Sequence, residues 1–223
     1  MRTGVSFGEK LLAMIFPSRC AICGKITIGG RRICGKCEEE NPPQSYFRRL
    51  DEEGNSPIFC VSPYVYSGEV RKAILAMKFY GRKERAAGFA EALARVLPPR
   101  WQTDDVVCWA PISQERLRER GYDQSELVAR RLARELGRPC RPLLRKIKNN
   151  RVQHELHLEE RRRNVHGVYA AEENRVRGKR ILLIDDIVTS GSTLRECANC
   201  LLAAGAIEVH CAAIADAFVK EVL

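Results

Sequence analysis

The thirteen residues from Ile181 to Thr193, ILLIDDIVTSGST, constrain this chain more than any other stretch. Four large apolar residues in a row read as a buried strand, predicted to end at Ile184. Asp185 and Asp186 then emerge at its carboxyl end, the edge at which ligands bind in open α/β sheets. TSGST makes the turn into a helix. Gly191 permits close backbone approach, and Thr189, Ser190, Ser192 and Thr193 offer hydroxyls. The first helical amides are unpaired donors with a favourable dipole, so the loop suits one phosphate group. Two adjacent carboxylates repel a second anion and need donors. A ribose 2′,3′-diol places two hydroxyls close to a 5′-phosphate, and the stretch reads as a cradle for ribose 5-phosphate.

Competing readings need residues the chain lacks. An ATPase using ILLIDD as its magnesium strand needs a G-x-x-x-x-G-K-[ST] loop, and a dinucleotide site needs G-x-G-x-x-G after a strand; neither occurs. An aspartyl-phosphate enzyme of the D-x-D type needs a spacer between its carboxylates. A polar strand end before a well-capped helix explains the hydroxyls but leaves the carboxylate pair without a reason.

The surrounding pattern gives the fold class. DVVCWA (Asp105 to Ala110), RILLI and IEVHCAAIAD (Ile207 to Asp216) read as strands, and IFCVSPYVYS as a strand or hairpin arm. Helical spacing covers Val5 to Phe16, Glu69 to Phe79, Ala86 to Leu97, DQSELVARRLARELG and TLRECANCLLAAG. Strands alternating with amphipathic helices imply an α/β fold with a mostly parallel sheet covered on both faces.

Cys20, Cys23, Cys34 and Cys37 form two C-x2-C pairs ten residues apart. A two-residue gap lets both sulfurs of a turn point at one atom, and four thiolates suit tetrahedral structural Zn2+ with no open position for catalysis. Cys20 to Pro57 holds few large apolar groups, so this piece cannot fold on a core of its own. An iron–sulfur cluster or free thiols are the alternatives. Cys197 and Cys200 share the spacing but fall inside a predicted helix and read as packing residues. The polar run EEENPPQSYFRRLDEEGNSP reads as a linker ending near Pro57, giving an N-terminal helix plus zinc module over 1–57 and a second domain over 58–223.

The formal net charge is +10 over 223 residues, which suits an anionic partner. The excess concentrates in KFYGRKER, RPCRPLLRKIKNNRVQ and RVRGKR. The longest signal or anchor candidate, LLAMIF, is far shorter than the roughly 20 residues of a membrane span. The expectation is a cytoplasmic protein.

ILLIDDIVTSGST resembles the phosphoribosyl pyrophosphate (PRPP) motif of type I phosphoribosyltransferases. Nearly the whole chain resembles the ComF family of competence-associated phosphoribosyltransferase-like proteins, at FPSRCAICGK, YSGEVRKAILAMKFYGRKERA, APISQERLRERGYDQSELVARRLA, QHELHLEERRRNVHGVYA and the PRPP motif. The resemblance implies a type I phosphoribosyltransferase fold with a small zinc-ribbon-like module at its N-terminus, and phosphoribosyl transfer from PRPP with Mg2+. Asp185 and Asp186 would bind the ribose hydroxyls, and Thr189, Ser190, Gly191, Ser192 and Thr193 the 5-phosphate. Pro111, Ile112, Ser113, Arg116 and Arg120 occupy the place of the pyrophosphate loop. The basic segment from Lys146 to Arg163 lies where related enzymes carry a mobile catalytic loop, with Arg161 as its catalytic residue and Gln153 and Asn164 as binding residues. The family pattern has Asn where this sequence has Asp123, which would weaken any contact there with an anionic diphosphate. The second function the resemblance implies is handling of single-stranded DNA with other DNA-uptake proteins, the PRPP site being kept for binding. The acceptor is not readable.

Overall fold

The computed structural model describes residues 18–27, 29–51, 57–147 and 167–219. The expected helix over Val5 to Phe16, and Gln153, Arg161 and Asn164, lie outside the described residues. In chain order the elements are α1 (Gly35–Glu40), β1 (Tyr46–Arg49), β2 (Phe59–Ser62), β3 (Tyr64–Val65), α2 (Gly68–Phe79), α3 (Arg85–Val96), β4 (Val106–Trp109), α4 (Gln114–Arg120), α5 (Gln124–Leu136), β5 (Leu144–Lys146), β6 (Tyr169–Ala171), α6 (Glu173–Val176), β7 (Arg180–Val188), α7 (Ser192–Ala203) and β8 (Glu208–Asp216).

The main sheet has the order β1-β2-β8-β7-β4, with β3 continuing the line of β2 along β8 beyond Pro63. β2, β3, β8, β7 and β4 are parallel; β1 is an antiparallel edge paired to β2 from Tyr46↔Ser62 to Arg49↔Phe59. The linker expected up to Pro57 therefore gives way to a strand at Tyr46–Arg49. Its alternation of half-buried and exposed residues carries too few apolar groups to betray it in composition.

Period-2 alternation divides the interior into two cores. Leu182 and Ile184 of β7 pack with Val107, Trp109 and Ile214 against α2, α3 and α5. Ile181 and Leu183 face Leu194, Cys197 and Leu201 of α7 on the other side, with Leu144 and Tyr169 of the small β5–β6 ribbon. Cys60, Cys108, Cys197 and Cys211 are buried members of these cores or their margins, as expected of free cysteine.

The four-cysteine segment adds Ile22 and Ile33 to the first core instead of building its own. Arg85, at the start of α3, donates to the carbonyls of Ala21 at 2.8 Å and Ile22 at 2.6 Å. At Gly88 a Cβ would stand 2.5 Å from the Ala21 Cβ and 2.8 Å from the Arg32 carbonyl, so only glycine admits this approach. Arg32–Glu135 and Arg95–Glu38 ion pairs tie the segment to α5 and α3. No helix among the described residues is long and apolar enough to cross a membrane.

Candidate functional site

β7 does not stop at Ile184. It stays paired to β8 through Asp185↔Ala213 and on to Val188↔Asp216, so both carboxylates lie within the strand. Adjacent strand residues leave opposite faces, and each carboxylate finds its own partners. Asp186 Oδ2 accepts from Gln124 Nε2 at 2.5 Å, and its Oδ1 lies 3.0 Å from Lys78 Nζ. Asp185 Oδ1 accepts from the Ser125 hydroxyl at 3.0 Å and the Asp186 amide at 2.8 Å, while its Oδ2 has no hydrogen-bond partner among the described residues. Burial, reinforced by the charge of Asp186, pushes the Asp185 carboxyl up to about 8. Two carboxylates held against their own repulsion are the mark of a site kept for something other than stability.

Three residues on, the chain turns. Gly191 sits at φ 76°, ψ −2° and caps α7, whose first bond runs from the Arg195 amide to the Gly191 carbonyl at 2.9 Å. Its backbone is buried, while Thr189, Ser190 and Thr193 are exposed and Ser192 is half-buried. Ser190 and Ser192 hydroxyls lie 2.8 Å apart. A helix start leaves amides without internal acceptors, so this turn offers amides and exposed hydroxyls on the chain just after the half-buried Asp185.

The segment after β4 is a four-residue loop, Ala110 to Ser113, followed by a helix rather than a longer loop. Ser113 caps α4 by accepting from the Arg116 amide at 3.3 Å. The loop begins beside the carboxylates, since the Ala110 amide donates to the Ile184 carbonyl. Arg116 and Arg120, one turn apart on α4, line a cavity of about 640 Å3 with Leu75, Lys78, Phe79 and Tyr122. Arg120 stacks over the Phe79 ring at 4.9 Å and donates to Gln124 Oε1 at 3.0 Å. Lys78 and Gln124 thus join Asp186 to the cavity that Arg116 and Arg120 line, while the Thr189–Thr193 loop and Pro111–Ser113 follow the ends of the paired strands β7 and β4.

Asp123 faces inward. Its Oδ1 accepts from the amides of Ser125 and Glu126, capping α5, and its Oδ2 accepts from the Ile112 amide at 3.0 Å. Any clash with a diphosphate is replaced by a structural task, the joining of the 111–113 loop to α5. Burial raises this carboxyl to about 6 against the pull of those amides, with the charge of Asp186 adding to the rise. A group that holds its proton more tightly folded than unfolded, where its pKa is about 4, makes stability fall as pH rises from about 4 to about 6. Asp123→Ala should lower stability by about 1–2 kcal/mol at pH 7, the value of a lost cap, and remove this residue's slope between pH 4 and 6. Urea denaturation across that range checks both.

Lys78, Gln124, Ser125 and Arg48 escape a reading of sequence alone. Lys78 lies on a helix whose apolar spacing draws the eye to Ile74 and Met77. Arg48 belongs to the unrecognised edge strand; it pairs with Asp216 at 3.1 Å and approaches the Gly191 turn. Gln124 and Ser125 adjoin Asp123, and only the fold shows that they reach β7.

The four cysteine sulfurs all lie within 4.8 Å of one another. Cys23 and Cys34 Sγ are 3.8 Å apart, the edge of a tetrahedron with bonds of about 2.3 Å. The Cys34 amide points at Cys20 Sγ at 3.4 Å. Burial works against the Cys20 thiolate, but amides of Cys34, Cys23 and Ile22 bring the thiol down to about 7. Burial and the neighbouring sulfurs push Cys37 up, a crowding that a cation would relieve. The donor set fits structural zinc. Among the described residues no other group of His, Cys, Asp or Glu has such an arrangement, and Cys200 instead points at the Tyr169 carbonyl.

A phosphoribosyl transferase domain model matches residues 123–222, and a double zinc ribbon domain model matches residues 11–46, a stretch with one four-cysteine set. The DNA utilization protein YhgH of Salmonella typhimurium is 31% identical over 201 residues, 86% of this chain and 82% of the relative, so the likeness spans both stretches. Competence protein ComFC of Bacillus subtilis is 33% identical over 148 residues, 65% of this chain and 58% of its own. Competence protein F of Haemophilus influenzae is 31% identical over 103 residues, 45% of each chain.

Proposed function

The chain belongs to the ComF family of phosphoribosyltransferase-like proteins with a zinc-ribbon module, and on that premise we propose that it binds PRPP with Mg2+ and transfers the phosphoribosyl group to an acceptor. The observation that carries the reading is the half-buried Asp185, hydrogen-bonded to Ser125, followed on one continuous strand and turn by an exposed hydroxyl-rich helix start. Asp185 and Asp186 accept from the ribose hydroxyls. The amides and hydroxyls of Thr189 to Thr193 hold the 5-phosphate, and charge-assisted hydrogen bonds of this kind contribute about 1.5–3 kcal/mol each.

Arg116 and Arg120 face the diphosphate from the far side of the cavity, where cations stabilise charge developing on a leaving group. Lys78, Arg116 and Arg120 line the cavity with one carboxylate, Glu119, and a divalent ion would add to their positive charge there. Neutralisation of the diphosphate is what Mg2+ supplies when bound. Arg161, Gln153 and Asn164, outside the described residues, complete the proposal as the catalytic and binding residues that the family resemblance implies. The work takes place in the cytoplasm, where thiols stay reduced.

A second reading shares the site. Phe79 and Tyr80 are 61% and 76% exposed next to Arg82 and Lys83, a stacking and charge pattern that suits single-stranded nucleic acid. With relatives named as DNA utilization and competence proteins, this face links the PRPP site to DNA handling. Calorimetric titration of the wild-type protein with PRPP and Mg2+ tests the first reading. Saturable one-to-one binding is expected, and its absence would remove it.

A further inference from the structure

Lys78 stands between the carboxylates and the cavity. Its Nζ is 3.0 Å from Asp186 Oδ1, and the two side chains are 18% and 8% exposed. Asp186 Oδ2 is taken by Gln124, whose own oxygen accepts from Arg120. Lys78, Asp186, Gln124 and Arg120 form one connected row, and its two cationic ends both line the cavity. A carboxylate engaged at both oxygens is held in one orientation. The base of Lys78 is fixed as well, because the Tyr122 hydroxyl donates to the carbonyl of the preceding residue, Met77. The ammonium, on four rotatable carbons, is the part free to move.

We propose that Lys78 is a positioning residue for Asp186: it holds this carboxylate in one orientation beside the cavity, and on ligand binding yields Oδ1 to a ribose hydroxyl while its ammonium turns to the diphosphate. This inference rests on the PRPP reading of the site. The exchange replaces one ion pair by another, so Lys78 is at no stage a buried, unpaired charge, the arrangement that is most costly in a protein interior. The groups facing Asp186 are Lys78 from α2, Asp185 from its own strand and the Asp123 charge from the start of α5. Those acting on Asp185 include Lys146 of β5, Tyr169 of β6 and Cys197 of α7. Lys78 is the cation in direct contact with the pair.

Lys78→Gln and Lys78→Arg, each checked for a native circular dichroism spectrum, test it in two ways. In ligand-free protein labelled with carbon-13 aspartate, Lys78→Gln should move the titration of the pair upward by about 1–3 pH units, the range set by loss of an opposite charge in contact. Lys78→Arg should leave it near the wild type. For PRPP with Mg2+, Lys78→Gln should bind about tenfold or more weakly at pH 7 and recover part of the loss at pH 9, where more of the pair is ionised. An unmoved carboxylate titration would overturn the positioning role. Equal loss of affinity at both pH values would reduce Lys78 to an ordinary phosphate contact and overturn it too. A wild-type protein that ignores PRPP while Lys78→Gln still shifts the titration would sink the ribose-phosphate reading and the exchange, and uphold the positioning of Asp186.

Discussion

Removing zinc with a chelator under reducing conditions should unfold the Cys20–Cys37 segment and lower the melting temperature of the whole protein. Structural zinc contributes roughly 10–16 kcal/mol in small modules, where apo chains do not fold. Here the loss spreads, because Ile22 and Ile33 belong to the same core as Phe89 and Leu93 of α3. Arg85 would lose the carbonyls of Ala21 and Ile22, and the surface around Gly88 would be uncovered. If only about 4 kcal/mol of this reached the larger domain, the melting temperature would fall by roughly 10 °C. Cys20→Ser should behave as the chelated protein does, with no further change on adding chelator. Differential scanning calorimetry with metal analysis reads both. A melting curve indifferent to zinc would mean that the four thiols serve another purpose.

Gly191→Val should abolish ligand binding with a smaller effect on stability. At φ 76° a β-branched residue is strained by about 1–3 kcal/mol. Space is also lacking, since a Cβ there would stand 2.7 Å from Leu50 Cδ2. Relief requires the turn to move away from β1, and with it the amides and hydroxyls of Ser190, Ser192 and Thr193. Losing one or two hydrogen bonds to a phosphate at about 1.5–3 kcal/mol each corresponds to roughly 100-fold in affinity. Titration with inorganic phosphate and with PRPP measures it. Unchanged affinity for both would show that the turn holds no anion.

The buried strands and the α7 helix were legible because one physical signal, apolar periodicity, is local. β4, β7 and β8 carry nearly continuous apolar runs, as buried parallel strands must, and α5 is bracketed by an Asp123 cap and Gly137. The four-cysteine cluster was legible because its spacing is itself the geometry. The end of β7 was not. The apolar run is interrupted after Ile184, whereas the pairing with β8 continues through Val188, with Lys78, Gln124 and Ser125, each more than fifty residues away, supplying partners for the carboxylates. β1 was hidden for the related reason that an edge strand half in water needs few apolar residues. The same holds for the docking of the zinc module: a glycine at position 88 and an arginine at 85 have no local signature, and their meaning lies in what packs on them. The role of Asp123 was not legible because a side chain's direction is set by the fold, and here three backbone amides claim it.

The claim that two carboxylates and one loop form a single ribose-phosphate clamp is tested most directly by titrating PRPP and Mg2+ into the wild type and into Asp185→Ala/Asp186→Ala side by side. The double variant removes acceptors while sparing the Thr189–Thr193 turn and the cations of the cavity. The expected result is saturable binding by the wild type and a loss of roughly 100-fold or more in the variant, as two hydrogen bonds to charged groups disappear. Equal binding by the two proteins would contradict the clamp.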